Sequence, residues 1–127
     1  MKHIVVVEDD ESIRFIFGIA LKPGLYDLTL LATCDAIMNE EVEAPELFVL
    51  DKQLSGVNGL DVCRFIKSSG KYGHVPVILV SAAPDIFEHA REAGAEGALM
   101  KPFSLRDLRE TVSHYSTYTC TTTVAMG

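Results

Sequence analysis

Charged and hydroxyl side chains follow directly after short apolar runs at four places in the chain. The runs cover residues 4–7, 47–50, 76–80 and 97–100, and none alternates with polar residues. The first three runs are typical of strands that are buried on both faces of a parallel sheet, and residues 97–100 predict a short fifth strand. The side chains that come next are Glu8, Asp9, Asp51, Ser81 and Lys101.

These five side chains stand where α/β proteins bind ligands. The carboxyl ends of parallel strands share one edge of a sheet, and neighbouring strands are only about 4.8 Å apart. Helices cover both faces of such a sheet, so the loops beyond this edge form its crevice. We therefore expect the five side chains to converge in one small crevice.

A crevice of this composition has a specific chemistry. The carboxylates of Glu8, Asp9 and Asp51 repel one another, by roughly 4 kcal/mol for a pair 4 Å apart at an effective dielectric constant near 20. Lys101 supplies one compensating charge, and Mg²⁺, which prefers oxygen ligands, would supply the rest. Ser81 adds a hydroxyl donor. With the phosphoryl oxygens neutralised in this way, Asp51 can attack phosphorus in line and form an aspartyl phosphate.

Helical periodicity fills the segments between the runs. Ile13, Ile16, Phe17, Ala20 and Leu21 form one apolar stripe of a first helix, which Pro23 and Gly24 end. We predict a strand at residues 26–32 and further helices at 34–43, 60–69, 84–93 and 105–115. Ser104 is expected to cap the last helix, and Arg64, Lys67 and Lys71 are expected to face water. Five βα units predict a flavodoxin-like, doubly wound, five-stranded parallel sheet, (βα)5.

Composition limits the classes of function. The 127 residues fit a single domain, which we place at residues 1–116, with a flexible Thr-rich tail at 117–127. A formal charge of −7 argues against direct contact with nucleic acid. Three scattered cysteines without a CxxC pair favour a reducing, cytoplasmic setting. The apolar start at residues 4–7 is far too short for a signal peptide or a membrane span, so no membrane contact is expected.

The residues around the four run ends resemble the signatures of the response-regulator receiver domain of two-component signal transduction, over about residues 2–115. They are Val7-Glu8-Asp9-Asp10, Leu50-Asp51 with Gly56 and Asn58-Gly59, Val80-Ser81-Ala82, and Lys101-Pro102-Phe103. The resemblance implies that Asp51 is the phosphoacceptor from a kinase phosphohistidine, and that Glu8 and Asp9 hold Mg²⁺ together with the backbone carbonyl of Gln53. It implies that Ser81 is a switch hydroxyl, that Lys101 contacts the phosphoryl group, and that the Lys101-Pro102 peptide is cis.

The same resemblance implies the partners of the chain. They are a sensor histidine kinase or histidine phosphotransfer protein and a separate downstream output protein. The chain would then be no enzyme in the usual sense, since it catalyses only its own phosphoryl transfer and dephosphorylation. Two positions depart from the family pattern. Ser55 stands where a proline is usual, and Ala98 stands where a switch aromatic is usual, which puts the family's account of signal propagation in doubt.

Other readings of the same residues compete with this one. Glu8, Asp9 and Asp10 can be solvated acids at a helix start, where the helix dipole favours them. Lys101 can be an exposed strand-end lysine that contributes little stability. A Mg²⁺-dependent phosphatase with an aspartyl phosphate intermediate is one rival function, although Gln53 stands where such an enzyme needs a second carboxylate. A receiver-like interaction module that is never phosphorylated is another.

Overall fold

Three of the four apolar runs form the centre of a parallel sheet, as their lack of alternation predicts, whereas the run at 97–100 forms a partly exposed edge strand. The computed structural model describes residues 1–21, 24–54 and 56–117. Its elements in chain order are β1 Lys2–Val7, α1 Glu11–Ala20, β2 Tyr26–Leu31, α2 Asp35–Met38, β3 Leu47–Asp51, β4 Gln53–Leu54, β5 Val57–Asn58, α3 Gly59–Ser68, β6 Val77–Ser81, α4 Ile86–Ala93, β7 Gly97–Met100 and α5 Leu105–Ser116.

The main sheet has five parallel strands in the order β2-β1-β3-β6-β7, and β4 pairs with β5 as a separate antiparallel hairpin. The predicted doubly wound (βα)5 fold is therefore confirmed. Every residue of β3 and β6 is buried, which is the reason these runs contain no polar alternation. The strand order places β1, β3 and β6 side by side in the middle of the sheet, so their carboxyl ends are neighbours.

Two apolar cores lie on opposite faces of the sheet, because successive side chains of a strand point to opposite faces. On one face Ile4 and Val6 pack with Phe17 of α1 and with Leu108 of α5. On the other face Val5 and Val7 are grouped with buried residues of α2, α3 and α4. With helices covering both faces, the open edge above the carboxyl ends of the strands is left for a site.

Side-chain caps fix the starts of three helices. Asp10, Asn58 and Ser104 cap α1, α3 and α5, and each accepts a hydrogen bond from a backbone N–H of the first turn. The prediction for Ser104 is thereby confirmed.

Two predicted helices are too long. The helix predicted at 34–43 shrinks to the four residues Asp35–Met38. Glu40 then takes a left-handed backbone with φ of 56°, and the acidic residues that follow would oppose the negative end of a longer helix. The helix predicted from residue 84 begins only at Ile86, since Pro84 and Asp85 form a turn in which the Ile86 N–H bonds to the carbonyl of Ala83 at 3.2 Å.

Two side-chain placements also differ from the prediction. Lys67 does not face water, because its Nζ lies 2.8 Å from Glu96 Oε2 and 3.0 Å from the carbonyl of Val75. Ile16 does not join the buried stripe of α1, and 39% of its surface is exposed. The positions of Pro23, of Ser55 and of tail residues 118–127 lie outside the described residues. Within the described residues, no helix has the length and apolar content needed to cross a membrane.

Candidate functional site

Strand register brings the polar run ends together. Val7 of β1 pairs with Leu50 of β3, and Asp51 pairs with Val80 of β6, so the residues that follow these strands are neighbours. Carboxylate oxygens of Glu8, Asp9 and Asp51 all lie within 4.8 Å of one another. The structure therefore gathers the three acids that the sequence singled out, and their oxygens form the hard donor set that Mg²⁺ prefers.

The three carboxylates have different surroundings. Glu8 and Asp51 are buried, with 2% and 6% of their surface exposed, whereas Asp9 is exposed. Asp10 is the only one of the neighbouring acids that serves as a described helix cap. The reading of these acids as solvated helix-start residues thus holds for Asp10 and is wrong for Glu8.

Lys101 bridges the two buried carboxylates. Its Nζ lies 2.7 Å from Asp51 Oδ2 and 3.2 Å from Glu8 Oε1, and only 22% of its side chain is exposed. The competing reading of Lys101 as an exposed strand-end lysine is therefore wrong. Burial disfavours the ammonium, but the hydrogen bond to Asp51 and the charges of Asp51 and Glu8 outweigh it, so the pKa of Lys101 is raised.

Glu8 holds its proton more tightly than an ordinary glutamate. Burial, followed by a hydrogen bond to Asp51, raises the pKa of Glu8 from 4.5 to about 7, even though Lys101 opposes the rise. Lys101 alone therefore does not keep Glu8 fully ionised at neutral pH. A cation bound beside Glu8 would favour its ionised form.

The loop after Asp51 donates a backbone hydrogen bond to the Asp51 carboxylate. The backbone N–H of Gln53 donates to Asp51 Oδ1 at 2.9 Å, and the β4–β5 hairpin turns the chain back so that Gly59 opens α3. A Cβ on Gly59 would lie only 2.3 Å from the carbonyl oxygen of Asp51, so this close approach requires glycine. Gln53 is thus beside the site, while the metal-binding role of its carbonyl stays a prediction.

Ser81 ends β6 next to these groups and is buried, with 6% exposure. Its Oγ accepts a hydrogen bond from the Ala83 N–H at 3.1 Å, and its carbonyl accepts one from the Lys101 N–H at 2.8 Å. The Lys101-Pro102 peptide is cis, as the resemblance implies. Ser81 therefore connects the β6–α4 turn to the backbone of Lys101.

Two features of the site were missed by sequence reasoning. Arg14 of α1 donates from Nη1 to the carbonyl of Glu8 at 2.8 Å and so steadies the start of the acidic loop. An apolar groove beside Lys101 involves Ile16 and Phe103, among others. Neither has a sequence signal of its own, because an arginine or isoleucine on an amphipathic helix has no spacing that marks it.

Comparison with known proteins now bears on this arrangement. The family model described as "Response regulator receiver domain" matches residues 4–113, which is most of the chain and includes every element that supplies the site. The chain belongs to the response regulator receiver domain family.

Similar proteins place this receiver domain among regulators. A probable transcriptional regulatory protein of Picosynechococcus is 35% identical over 116 residues, covering 84% of this chain and 45% of that protein. The phosphate regulon transcriptional regulatory protein PhoB of Rhizobium meliloti is 30% identical, covering 85% and 49%. The BeF3-activated receiver domain of DrrB, from Thermotoga maritima, is 29% identical with a TM-score of 0.80, covering 93% and 99%. The chain spans about half the length of the curated relatives it matches.

Ala98 lines a different groove of this receiver domain from the one beside Lys101. It is half-buried in β7, where it pairs with Leu79, and it lines an open groove together with Phe87 and Tyr115. The ring of Tyr115 stands over the adjacent Gly97, where a Cβ would lie 2.6 Å from the Tyr115 ring. An aromatic ring therefore covers this end of β7, although it comes from α5 and not from the strand. The effect of Ala98 on switching stays a prediction.

Proposed function

We propose that this receiver domain accepts a phosphoryl group on Asp51 and that Glu8, Asp9, Ser81 and Lys101 complete the acceptor site. The observation that carries the proposal is the bridge from Lys101 Nζ to Asp51 Oδ2 and Glu8 Oε1 within reach of Asp9. A lysine fixed on the nucleophile's own oxygen is positioned to meet the oxygens of an arriving phosphoryl group.

The residues also fit a bound Mg²⁺. Glu8, Asp9 and Asp51 offer oxygen ligands that lie close together, and because all three are acids they cannot neutralise one another. The backbone carbonyl of Gln53 is proposed as a further ligand. When bound, the ion would supply positive charge that screens the phosphoryl oxygens from the carboxylates. Asp9, as the exposed member of the group, would be the first to meet an ion from solvent.

In the proposed transfer, a carboxylate oxygen of Asp51 forms a bond to phosphorus while the bond from phosphorus to the donor atom breaks. The donor leaves with the electron pair of that bond. The N–H of Gln53 and the ammonium of Lys101 hold the Asp51 carboxylate in one orientation, so little reorganisation is needed at the moment of reaction. Ser81 would donate its hydroxyl hydrogen to a phosphoryl oxygen, while its Oγ can continue to accept from the Ala83 N–H, because a hydroxyl is both donor and acceptor.

We infer a protein donor and a protein output from the family. The proposed partners are a sensor histidine kinase or histidine phosphotransfer protein and a separate output protein, and the proposed location is the cytoplasm. Several relatives are described as DNA-binding or transcriptional regulators, while this chain carries a charge of −7. We therefore assign no direct contact with nucleic acid to the described domain.

Phosphorylation rather than enzymatic phosphatase activity is the function that the geometry favours. A phosphatase that uses an aspartyl phosphate needs a second carboxylic acid as acid/base beside the nucleophile. The residue two positions after Asp51 is Gln53, whose N–H already bonds to Asp51. The presence of all three acids and the lysine likewise argues against a module that is never phosphorylated. Mutual repulsion among the three carboxylates destabilises the fold, so a purely structural role does not explain them.

Intact-protein mass spectrometry after incubation with acetyl phosphate and Mg²⁺ tests the proposal. We expect a gain of one phosphoryl group that hydroxylamine removes, because hydroxylamine cleaves acyl phosphates. Asp51→Asn should abolish the gain, and Asp61→Asn, a matched change at an exposed acid on α3, should leave it unchanged. Phosphorylation that persists in Asp51→Asn would refute the assignment of the acceptor.

A further inference from the structure

An apolar groove opens directly beside the proposed acceptor site. Its volume is about 400 Å³, within the usual range for sites that bind small molecules. It is lined by Ile13, Ile16, Ala82, Lys101, Pro102 and Phe103. Lys101 thus belongs both to the groove and to the cluster around Asp51. The groove is continuous with the place where a phosphoryl donor must stand.

The walls of the groove are apolar and well supported. Phe103 packs against the buried Phe17 with ring centroids 5.9 Å apart, which fixes one wall to the core. Ile16 also lines the groove and leaves 39% of its surface exposed, on a helix whose buried stripe is made by other residues. An apolar group placed between Ile16 and Phe103 would remove apolar surface from water on both sides.

The end of the groove that faces the site is cationic. A lysine ammonium has three N–H donors, and two of those of Lys101 are directed to Glu8 and Asp51. A third can therefore reach an oxygen of a molecule whose apolar part lies in the groove. The groove thus matches a ligand with an anionic phosphoryl head and an apolar body of moderate size.

We propose that this groove binds the acyl part of small-molecule phosphodonors, so that the domain is phosphorylated preferentially by acyl phosphates with a bulky apolar acyl group. The inference rests on the proposed function of Asp51. In the reaction, a carboxylate oxygen of Asp51 bonds to phosphorus, the bond between phosphorus and the acyl oxygen breaks, and the carboxylate of the donor leaves with the electron pair. No oxidant or further reactant is needed.

The test compares benzoyl phosphate with acetyl phosphate in Mg²⁺ buffer, using the rate of Asp51 phosphorylation divided by donor concentration. The two leaving acids are of similar strength, so chemistry alone gives similar rates. We expect benzoyl phosphate to react at least about tenfold faster at limiting concentration, the order of discrimination that a few apolar carbons give in a hydrophobic pocket. Benzoyl phosphate should differ from acetyl phosphate mainly by a lower half-saturating concentration, because the groove binds the acyl group equally before and during transfer.

Two variants of α1 locate the effect. Ile16→Gln places an amide in the groove and should bring the ratio of the two rates close to one. Phe15→Gln is the matched control, since Phe15 is 68% exposed on the same helix but does not line the groove, and it should keep the preference. Circular dichroism and thermal melts of both variants report whether α1 has kept its structure.

A binding measurement that needs no transfer completes the test. Benzylphosphonate has no transferable phosphoryl group, and its titration should shift the backbone amide signals of Ile16, Ala82 and Phe103, whereas methylphosphonate should shift those of Ala82 alone. Equal rates for both donors, or an unchanged preference in Ile16→Gln, would overturn the inference while leaving the acceptor role of Asp51 intact. If neither donor phosphorylates Asp51, the proposed function itself fails.

Discussion

Two groups of partly buried charges lie at opposite edges of the sheet, and they are built on different principles. At the carboxyl edge of the strands, the site cluster consists of Glu8, Asp9, Asp51 and Lys101. At the amino edge, Lys67 of α3 pairs with Glu96, which directly precedes β7. Each group contains one lysine whose Nζ approaches a carboxylate within 2.8 Å.

The Lys67–Glu96 pair is balanced and satisfied. The Nζ of Lys67 also donates to the carbonyl of Val75 at 3.0 Å, and Glu96 Oε1 accepts from the N–H of Val77 at 2.8 Å. One positive and one negative charge thus neutralise each other, and backbone groups take their remaining bonds. Such a pair fastens α3 to the starts of β6 and β7, and the geometry calls for no further ligand.

The site cluster is unbalanced. Three carboxylates lie close together, and Lys101 contacts two of them, Glu8 and Asp51. Burial and the hydrogen bond to Asp51 raise the pKa of Glu8 in spite of this lysine. The comparison teaches that a short lysine–carboxylate contact does not by itself distinguish a structural pair from a functional site. The number of like charges around each lysine does, because only an excess leaves binding energy for a cation or a phosphoryl group.

Removing a carboxylate should therefore have opposite effects at the two edges, and the larger effect is expected at the amino edge. Glu96→Ala leaves Lys67 partly buried without its partner and should lower the free energy of unfolding by about 3 kcal/mol. Urea denaturation measures this change. Asp61→Ala is the matched control, because Asp61 pairs with Arg64 on the surface of the same helix and such exposed pairs contribute no more than about 0.5 kcal/mol. Similar losses in the free energy of unfolding in both variants would show that the Lys67–Glu96 pair contributes no more than an exposed ion pair.

Glu8→Gln should stabilise the metal-free protein at alkaline pH. Because the pKa of Glu8 rises from 4.5 to about 7 on folding, the folded state binds the proton more tightly than the unfolded state. The stability that this proton provides is complete below pH 4.5 and is lost as the pH rises through about 7. We expect the variant to gain on the order of 2 kcal/mol relative to wild type between pH 5 and pH 8, since one pKa unit corresponds to about 1.4 kcal/mol.

Denaturation in EDTA at several pH values checks this prediction. Other groups titrate in the same range, so the informative quantity is the difference between wild type and variant at each pH. Glu92→Gln, at an exposed acid of α4, should show a difference that does not depend on pH. A pH-independent difference for Glu8→Gln as well would mean that the buried carboxyl is ionised throughout, and the site cluster would then be less strained than we infer.

Much of the site could be predicted from sequence because it follows from the strands. A strand buried on both faces admits no polar residue, so the first polar residue marks its carboxyl end, and the parallel arrangement then gathers these ends. Asp51, Glu8, Ser81 and Lys101 all lie where this rule places them. The rule does not extend to burial: it left open whether Lys101 is exposed, and only the fold shows that its Nζ contacts two carboxylates.

The features that sequence missed depend on contacts between distant segments. Lys67 has the spacing of an exposed helix residue, yet Glu96, 29 positions away, draws it inward. Ile16 has the spacing of a core residue, yet 39% of its surface is exposed, and it lines the groove. The second predicted helix failed for a local reason, since the acidic residues after Met38 oppose helix growth at that end. Helix periodicity therefore predicts which residues share one face of a helix, but it does not predict which other segments pack against that face.

The smallest expected effect is a gain of stability from Mg²⁺ that is confined to the carboxyl edge. A ligand that binds only the folded state stabilises it by mass action, which gives about 1.4 kcal/mol at ten times the dissociation constant. Asp9→Ala removes the exposed ligand and should abolish most of this gain in thermal melts with and without Mg²⁺. Glu92→Ala should retain it, and so should Glu96→Ala, because Glu96 lies at the opposite edge of the sheet and the effects of distant changes are additive. If Asp9→Ala gains as much as wild type, the ion binds elsewhere. If Glu96→Ala loses the gain, the two charge groups are coupled through the sheet, and the contrast between a structural pair and a functional cluster would have to be withdrawn.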